Sequence, residues 1–436
     1  MRGIAVTLIA LVMLALPIAI ATTAAASSNA PSTSARNLTP IVVGPLPTDR
    51  FGGGDWVGVS AGDANFGVLY GTTQSPNRVI IFAEYTRYLG GANIVNAQGQ
   101  QLAVRGIPVR TVMAQSLDRF IEFETVNVTN GFDLFSAAGS PSGLLVNVPV
   151  KALNLRTSTW NLTGLSYDVV GSMTYVNFTI QAHDLRYTWV NPHIPGANGT
   201  GDNMLNLVAF TFHLAVGTVN KTADLPWYKV TVTDSTPREI TNVSFVGYHT
   251  VTASAVRMGA KYDHTIDGWD FATPAGNATE RLALETYLIL GNFLPDRTVD
   301  FIHLAYAQER AEDGANSTIL DNETAGVDAP SAPHPYTFGK ISFDDHWTRI
   351  GEFRWTSNVT VDGHPETMWF QVQGGTRIAY SNGENAFFGF MVHGAFIYPA
   401  GRMIVHDPAM SVESLQPNVT SGFNLTPIGI LLIQVA

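Results

Sequence analysis

Thirteen asparagines stand in the pattern Asn-x-Ser/Thr, which is the acceptor for N-glycosylation in exported proteins. Chance would place about four such patterns in a chain with this content of asparagine, serine and threonine. Asparagine and threonine are also common in turns and on exposed strand faces, which is the competing explanation. The excess predicts an exported protein with N-linked glycans at Asn37, Asn127, Asn161, Asn177, Asn198, Asn220, Asn242, Asn277, Asn316, Asn322, Asn358, Asn418 and Asn424.

A second group of residues could bind a metal ion or exchange protons. Asp344, Asp345 and His346 are consecutive, and His406 directly precedes Asp407. If the fold brings the two stretches together, they could form a His/carboxylate metal site or an acid–base pair. The alternative is a polar strand end and a turn, because Asp-Pro is a common turn signal.

Three aspartates, Asp263, Asp267 and Asp270, lie within one short segment and could supply oxygen ligands to Ca²⁺. Their spacing does not match the EF-hand pattern, so a solvated hairpin loop is the competing interpretation. Eight tryptophans could line a sugar-binding face, although aromatic residues on strands usually belong to the core.

Other features of the sequence exclude several kinds of chemistry. The chain has no cysteine, which excludes thiol catalysis, zinc–thiolate sites, c-type haem and blue copper. The glycine-rich segment from Phe51 to Trp56 lacks the Lys-Ser/Thr of a phosphate-binding loop, and no H-E-x-x-H pattern occurs. The net charge is −11 without any basic run, so we expect no nucleic-acid partner. No cofactor is predicted.

The N-terminus has the composition of a secretory signal peptide. Arg2 precedes an apolar run from Ile4 to Ala21, and three alanines before Ser27 form a small-residue cleavage site. We therefore expect cleavage after residue 26 and an extracellular or cell-surface location. The alternatives are an uncleaved membrane anchor and a pilin-type signal cut after Gly3. Membrane contact is expected only through this segment if it is retained.

Alternation of apolar and polar residues dominates the remainder of the chain and predicts an all-β protein. In the stretches around Asn177, Asn242 and Asn358 the acceptor asparagines alternate with apolar residues. We therefore expect these asparagines to be exposed while Phe178, Val243 and Val359 are buried. The segment from Thr279 to Leu290 fits a helix or a strand, and the alternation of its leucines favours a strand.

Weak internal similarity suggests a duplication. Four short matches recur in the same order roughly 190 residues apart, including Lys151 with Lys340 and Phe210 with Phe390. The stretch NLTPI occurs at residues 37–41 and again at 424–428. These matches predict a signal peptide (1–26), a linker (27–39), two related β-sandwich domains (40–235 and 236–423) and an apolar C-terminal strand (424–436).

We expect a non-enzymatic structural or adhesive protein, such as a sheath, surface-layer or filament subunit. Dense N-glycosylation without cysteine is typical of an archaeal cell surface. The apolar C-terminal strand predicts self-assembly if it completes the sheet of a neighbouring copy, and glycans are the other expected partners. The alternative is a secreted carbohydrate-active hydrolase or a carbohydrate-binding module. The hydrolase would need a pair of carboxylates that the sequence pattern does not identify.

Overall fold

A computed structural model gives the fold. It describes residues 39–45, 54–61, 64–127, 145–190, 204–235, 238–272, 279–295, 324–327, 338–344, 349–381, 385–415, 426–427 and 433–435. Almost all of these residues lie in β-strands, and the helical structure among them is one 3₁₀ turn, Leu155–Thr157. Within the same ranges, no helix has the length and apolar character needed to cross a membrane. The predicted signal peptide lies outside the described residues.

The chain forms twenty-three strands over the described residues. They are β1 (Thr39–Pro45), β2 (Asp55–Ala61), β3 (Ala64–Tyr70), β4 (Val79–Val95), β5 (Gln101–Asn127), β6 (Leu145–Asn154), β7 (Asn161–Val170), β8 (Met173–Arg186), β9 (Thr188–Trp189), β10 (Met204–Val232), β11 (Arg238–Asp267), β12 (Thr279–Pro295), β13 (Thr324–Val327), β14 (Phe338–Asp344), β15 (Arg349–Thr356), β16 (Asn358–Val361), β17 (His364–Thr367), β18 (Trp369–Ser381), β19 (Asn385–Pro399), β20 (Met403–His406), β21 (Ala409–Leu415), β22 (Thr426–Pro427) and β23 (Ile433–Val435).

The all-β, sandwich-like fold class predicted from alternation is confirmed. The ambiguous segment from Thr279 is a strand, β12, which pairs on one side with β5 and on the other with β19. Its leucines alternate because Leu282, Leu284, Leu288 and Leu290 all point into the core. In this segment the alternating pattern was therefore a better guide to secondary structure than the helical propensity of leucine and glutamate.

Two sets of strands enclose the main core. One layer contains β8, β10 and β11, with β20 and β21 continuing along β11. The other layer contains β3, β4, β5, β12, β19 and β18 in that order. Phe178, Phe212 and Tyr262 of the first layer and Met113, Leu284 and Tyr398 of the second belong to one buried cluster. The stacked rings of Phe178 and Phe212 lie 5.1 Å apart in it.

Three strands are unusually long, with 27 residues in β5, 29 in β10 and 30 in β11. A bulge at Trp227/Tyr228 interrupts the pairing of β10 with β11, and from Trp227 onward β10 also pairs in parallel with β4. A bulge bends a strand and lets it change partners, so β10 connects the two layers. Gly91 of β4 faces the Trp227 ring so closely that any larger residue would collide with it.

The predicted boundary between two domains falls in the turn between β10 and β11. These strands pair from Leu207–Asp267 to Val232–Ile240, and β5 also pairs with β12, so strands from both halves form common sheets. The duplication stays a prediction. One feature agrees with it, since β8 pairs antiparallel with β10 in the first half and β18 pairs antiparallel with β19 in the second.

The C-terminal strand is placed inside its own chain. Ile433–Val435 lies parallel to Arg238–Ile240 at the start of β11, and Thr426–Pro427 lies parallel to Arg105–Gly106 of β5. The segment therefore reaches both predicted halves of the chain.

Candidate functional site

The acceptor asparagines of the described strands follow the predicted faces. Asn242 and Asn358 are exposed, whereas the adjacent Val243 and Val359 are buried. The predicted strand registers at these positions are confirmed. Asn161 and Asn220 are also exposed. The side chain of Asn127 and the acceptors Asn37, Asn198, Asn277, Asn316, Asn322, Asn418 and Asn424 lie outside what the structure describes.

Asn177 was expected to be exposed but is half-buried, whereas the neighbouring Phe178 is fully buried as predicted. The side-chain oxygen of Asn177 lies 2.8 Å from Nδ1 of His213 on β10. Glycans attach to the side-chain nitrogen of asparagine, which this hydrogen bond does not use. Glycosylation itself remains a prediction for all thirteen asparagines.

The acidic segment that was expected to be a loop, with Ca²⁺ binding as the alternative, is mostly a strand. Asp263 and Asp267 both lie in β11, and Asp270 follows the strand as an exposed residue. A strand rises about 3.3 Å per residue, so the backbones of Asp263 and Asp267 are about 13 Å apart, too far for one Ca²⁺. Nζ of Lys261 instead lies 3.4 Å from the carboxylate of Asp263 and 3.3 Å from that of Asp407, so the two aspartates share one cation. Over the described ranges, no cluster of histidine and acidic side chains could hold a metal ion.

The predicted grouping of His406 with the Asp344 segment is not found in the described residues. Asp344 ends β14, where it pairs with Thr324 and Arg349. Asp345 and His346 lie outside the described residues. His406 lies instead in the core beside β11, directly opposite His264.

His406, His264 and Tyr398 form a buried hydrogen-bond chain. The Tyr398 hydroxyl lies 2.8 Å from Nε2 of His264 and 3.2 Å from Nδ1 of His406. Nε2 of His406 lies 2.9 Å from the carbonyl oxygen of Thr356. Since Tyr398 is on β19 and His264 on β11, the chain joins the two layers of the fold.

The partners fix the direction of each hydrogen bond. The Thr356 carbonyl can only accept, so Nε2 of His406 donates and its Nδ1 is bare. That nitrogen accepts the Tyr398 proton, and the Tyr398 oxygen in turn accepts from Nε2 of His264. Nδ1 of His264 is then a bare acceptor, and it has no hydrogen-bond partner within the described part of the chain. Both imidazoles are neutral in this arrangement.

Burial favours these neutral forms. It lowers the pKa of His406 to about 4 and lowers the pKa of His264 well below its ordinary value. Burial also raises the pKa of the Tyr398 hydroxyl well above its ordinary value. At neutral pH the three groups therefore form a fixed hydrogen-bonded link between the two layers rather than an acid–base pair.

A second buried cluster is centred on Glu122 of β5 and Lys151 of β6, which are register partners. Both side chains are almost completely buried, and Nζ of Lys151 lies 3.6 Å from Oε2 of Glu122. The Glu122 carboxylate also accepts hydrogen bonds from the indole nitrogen of Trp269, at 2.6 Å, and from the backbone nitrogen of Ala272, at 2.9 Å. Burial raises the pKa of Glu122, and these donors and Lys151 oppose that effect.

Aromatic rings and a carbonyl group enclose the Lys151 ammonium. Nζ lies 4.9 Å from the centre of the Tyr187 ring and 4.6 Å from that of Trp189. It also donates a hydrogen bond to the backbone carbonyl of Asp270. Cation–π contacts of this length stabilise a desolvated ammonium.

Two further carboxylates extend this cluster. Glu124 of β5 lies directly opposite Glu280 of β12, and less than a tenth of each residue is exposed. Burial, assisted by the charges of Glu122 and Glu124, raises the pKa of Glu280 to about 7. Glu280 therefore holds its proton at mildly acidic pH, where an ordinary glutamate has lost it.

Replacement of Glu280 with glutamine is expected to change the pH dependence of stability. The folded state holds the Glu280 proton more tightly than the unfolded state does, so the stability that this group contributes is lost as pH rises from about 4.5 to about 7. Glu280→Gln should therefore gain stability relative to wild type across that window, as measured by urea unfolding at several pH values. Glu366→Gln, at an exposed position of β17, is the control. If the difference in unfolding free energy between wild type and Glu280→Gln stays the same at all these pH values, Glu280 titrates normally.

Sequence reasoning missed the glutamate–lysine cluster, although one signal was present. Phe120, Glu122 and Glu124 share one face of β5, while Ile121 and Phe123 share the other. Apolar residues on both faces indicate a strand that is buried on both sides, which makes the glutamates buried as well. A second unnoticed pattern is the G-x-S-x-G match at residues 58–62. It carries no nucleophile, because Gly58–Ala61 lies within strand β2 instead of a strand-to-helix turn.

The tryptophans are mostly core residues. Five of them each have no more than a few per cent of their surface exposed. Trp189 and Trp369 are half-buried. The five buried ones are Trp56, Trp160, Trp227, Trp269 and Trp355. They do not form a sugar-binding face.

The hairpin of β7 and β8 carries the most apolar exposed surface among the described strands. Every residue of β7 except Leu162 is exposed, and β7 pairs only with β8 in the described structure. The exposed apolar side chains are Leu165, Tyr167, Val169 and Val170, joined by Tyr175 of β8. Exposed apolar patches of this kind commonly contact other proteins.

Comparisons of the chain with protein-family models, with curated proteins and with solved structures found no match.

Proposed function

We propose that this chain is an exported, N-glycosylated structural or adhesive subunit of a cell surface or extracellular sheath. The main support is the placement of acceptor asparagines on the polar faces of strands. Asn242 and Asn358 are exposed while their apolar neighbours enter the core. An acceptor that a glycosyltransferase can use must be accessible in this way.

Glycans would also supply the surface hydration that charged side chains usually provide. Charged residues make up 14% of the chain, compared with about 25% in typical soluble domains. A large all-β protein with few surface charges needs another source of hydration to avoid edge-to-edge association. N-linked glycans on exposed strand faces would provide it.

Two features favour self-assembly. The exposed hairpin of β7 and β8 offers apolar side chains at an edge strand, where another strand can add. The C-terminal segment lies beside Arg238–Ile240, and the same segment of a neighbouring copy would take this position in a strand exchange. Exchange would join copies end to end.

The geometry gives less support to a hydrolase. Glu124 and Glu280 form the carboxylate pair that such an enzyme would need, with one raised pKa. Less than a tenth of each residue is exposed, so a polysaccharide has no access to them in this structure. We therefore favour the structural role.

Removal of Ile428–Ala436 is expected to abolish assembly while leaving a folded chain. The reason is that the proposed exchange needs this strand, whereas the buried cluster that the structure describes is built from residues between Val57 and Ile404. Negative-stain imaging of purified protein measures assembly, and thermal melting measures folding. Intact chains should form large particles and truncated chains should not. Truncated chains that still form full-size particles would contradict assembly through this strand, and a large fall in melting temperature would show that the strand serves its own chain.

A further inference from the structure

We propose that Lys151 and Glu122 condense into an amide bond that covalently joins β5 to β6. The bond is a post-translational modification within one chain, and it does not depend on the function proposed above. It rests on the position, burial and hydrogen bonding of the two side chains.

The two reacting groups are already in place. Nζ of Lys151 lies 3.6 Å from Oε2 of Glu122, so the amine is in contact with the carboxyl group whose carbon it would attack. The two residues are directly opposite each other in the sheet, so neither strand has to move. Their exposures are 1% for Lys151 and 0% for Glu122, which keeps bulk water away from the bond that forms.

Burial makes the ion pair costly compared with the uncharged amide that would replace it. Two opposite charges lose their hydration when they are buried, and a condensed amide carries no charge. Burial raises the pKa of Glu122, which assists transfer of a proton from the ammonium to the carboxylate. The rings of Tyr187 and Trp189 hold Nζ in position during this transfer.

The reaction balances without another reactant. After the proton transfer, the neutral amine of Lys151 attacks Cδ of the Glu122 carboxylic acid, and a C–N bond forms. The backbone N–H of Ala272, 2.9 Å from Oε1, and the indole N–H of Trp269, 2.6 Å from Oε2, are placed to stabilise the negative charge that develops on the carboxyl oxygens. One C–O bond then breaks. The departing oxygen leaves as water with the acid proton and one proton from the amine.

A covalent link of this kind suits the composition. A disulfide cannot join these strands, because this chain has no cysteine. An amide between β5 and β6 closes a long loop, as a disulfide would, and is insensitive to reducing agents. It also lies on the strand that ends at the acceptor Asn127.

Trypsin digestion tests the bond directly. The chain contains no lysine or arginine between Arg119 and Lys151, so trypsin releases Phe120–Lys151 if Lys151 is free. Acylated Lys151 is not cleaved. Digestion of the folded protein, made in a host without N-glycosylation, should give Phe120–Arg156 with a mass lower by one water. Chymotrypsin should then convert this looped peptide into two peptides joined through Lys151 and Glu122.

Lys151→Arg is the matched variant, because it keeps the charge and cannot form this amide. Trypsin should cleave after the new arginine and release residues 120–151 of the variant at full mass. Lys261→Arg, at an exposed ion-paired lysine, should retain the looped peptide of the wild type. Recovery of Phe120–Lys151 at full mass from folded wild-type protein would overturn the proposal. A peptide that lacks one water but is still cleaved at Lys151 would also overturn it, since that loss would come from a different dehydration.

Discussion

Replacement of Lys151 with methionine is expected to lower the free energy of unfolding by about 3–5 kcal/mol, which is typical for removal of one partner from a buried ion pair. The variant leaves the Glu122 carboxylate buried without its cation, and the cation–π contacts with Tyr187 and Trp189 are lost as well. Loss of an amide between the two residues would act in the same direction. Urea unfolding followed by tryptophan fluorescence is a suitable measurement, because Trp269 contacts Glu122 directly.

Lys261→Met is the control for this prediction. Lys261 also contacts carboxylates, but its side chain is 53% exposed, and exposed ion pairs contribute about 0–1 kcal/mol. We expect a loss within that range. Equal losses at Lys151 and Lys261 would contradict the view that the Glu122–Lys151 cluster is a major stabilising element of the fold.

Acidification from about pH 6.5 to about pH 4 is expected to destabilise the fold by about 3 kcal/mol through His406 alone. The folded state holds His406 neutral, whereas the unfolded state binds a proton in this window, so acid favours unfolding. A protonated His406 would also carry a proton on Nδ1 and lose the hydrogen bond that it accepts from Tyr398. The negative charge of Asp407 partly opposes this effect, and His264 adds to it over the same range because burial lowers its pKa as well.

The experiment compares His406→Gln with wild type over this pH range. Glutamine cannot be protonated, so the stability of the variant relative to wild type should rise as pH falls. The comparison is needed because Glu280 acts in the opposite direction over part of the window. His213→Gln, at an exposed position on β10, is the control for loss of a histidine outside the buried chain. If the unfolding free energies of wild type and His406→Gln change in parallel as pH falls, His406 is not held neutral by the fold.

Local sequence patterns predicted the strands and their faces, because alternation depends on neighbouring residues in one strand. Phe178, Val243 and Val359 are buried as this pattern requires. The same pattern could not show which strands pair. The contact between Glu122 and Lys151 depends on the pairing of β5 with β6, which includes a bulge between Glu122 and Phe123. A bulge shifts the register by one residue, and no local signal marks its position.

Most of the candidate polar clusters could not be predicted from the sequence for the same reason. His406 was identified as a residue of interest, but the partners considered for it were Asp344, Asp345 and His346. Its actual partners, His264 and Tyr398, come from β11 and from β19 in the opposite layer. Contacts between layers depend on packing over long sequence distances, which composition and spacing do not encode. The loop expected around Asp263 and Asp267 was wrong, because the strand β11 continues through both residues.

Peptide mapping by mass spectrometry of the native protein, isolated from the cell envelope and the medium, tests export and glycosylation together. We expect a mature N-terminus at Ser27 and glycans on the exposed asparagines, Asn242 and Asn358 among them. Chains that retain Met1–Ala26 and carry unmodified asparagine at both positions would contradict the proposal that this is an exported, glycosylated surface subunit.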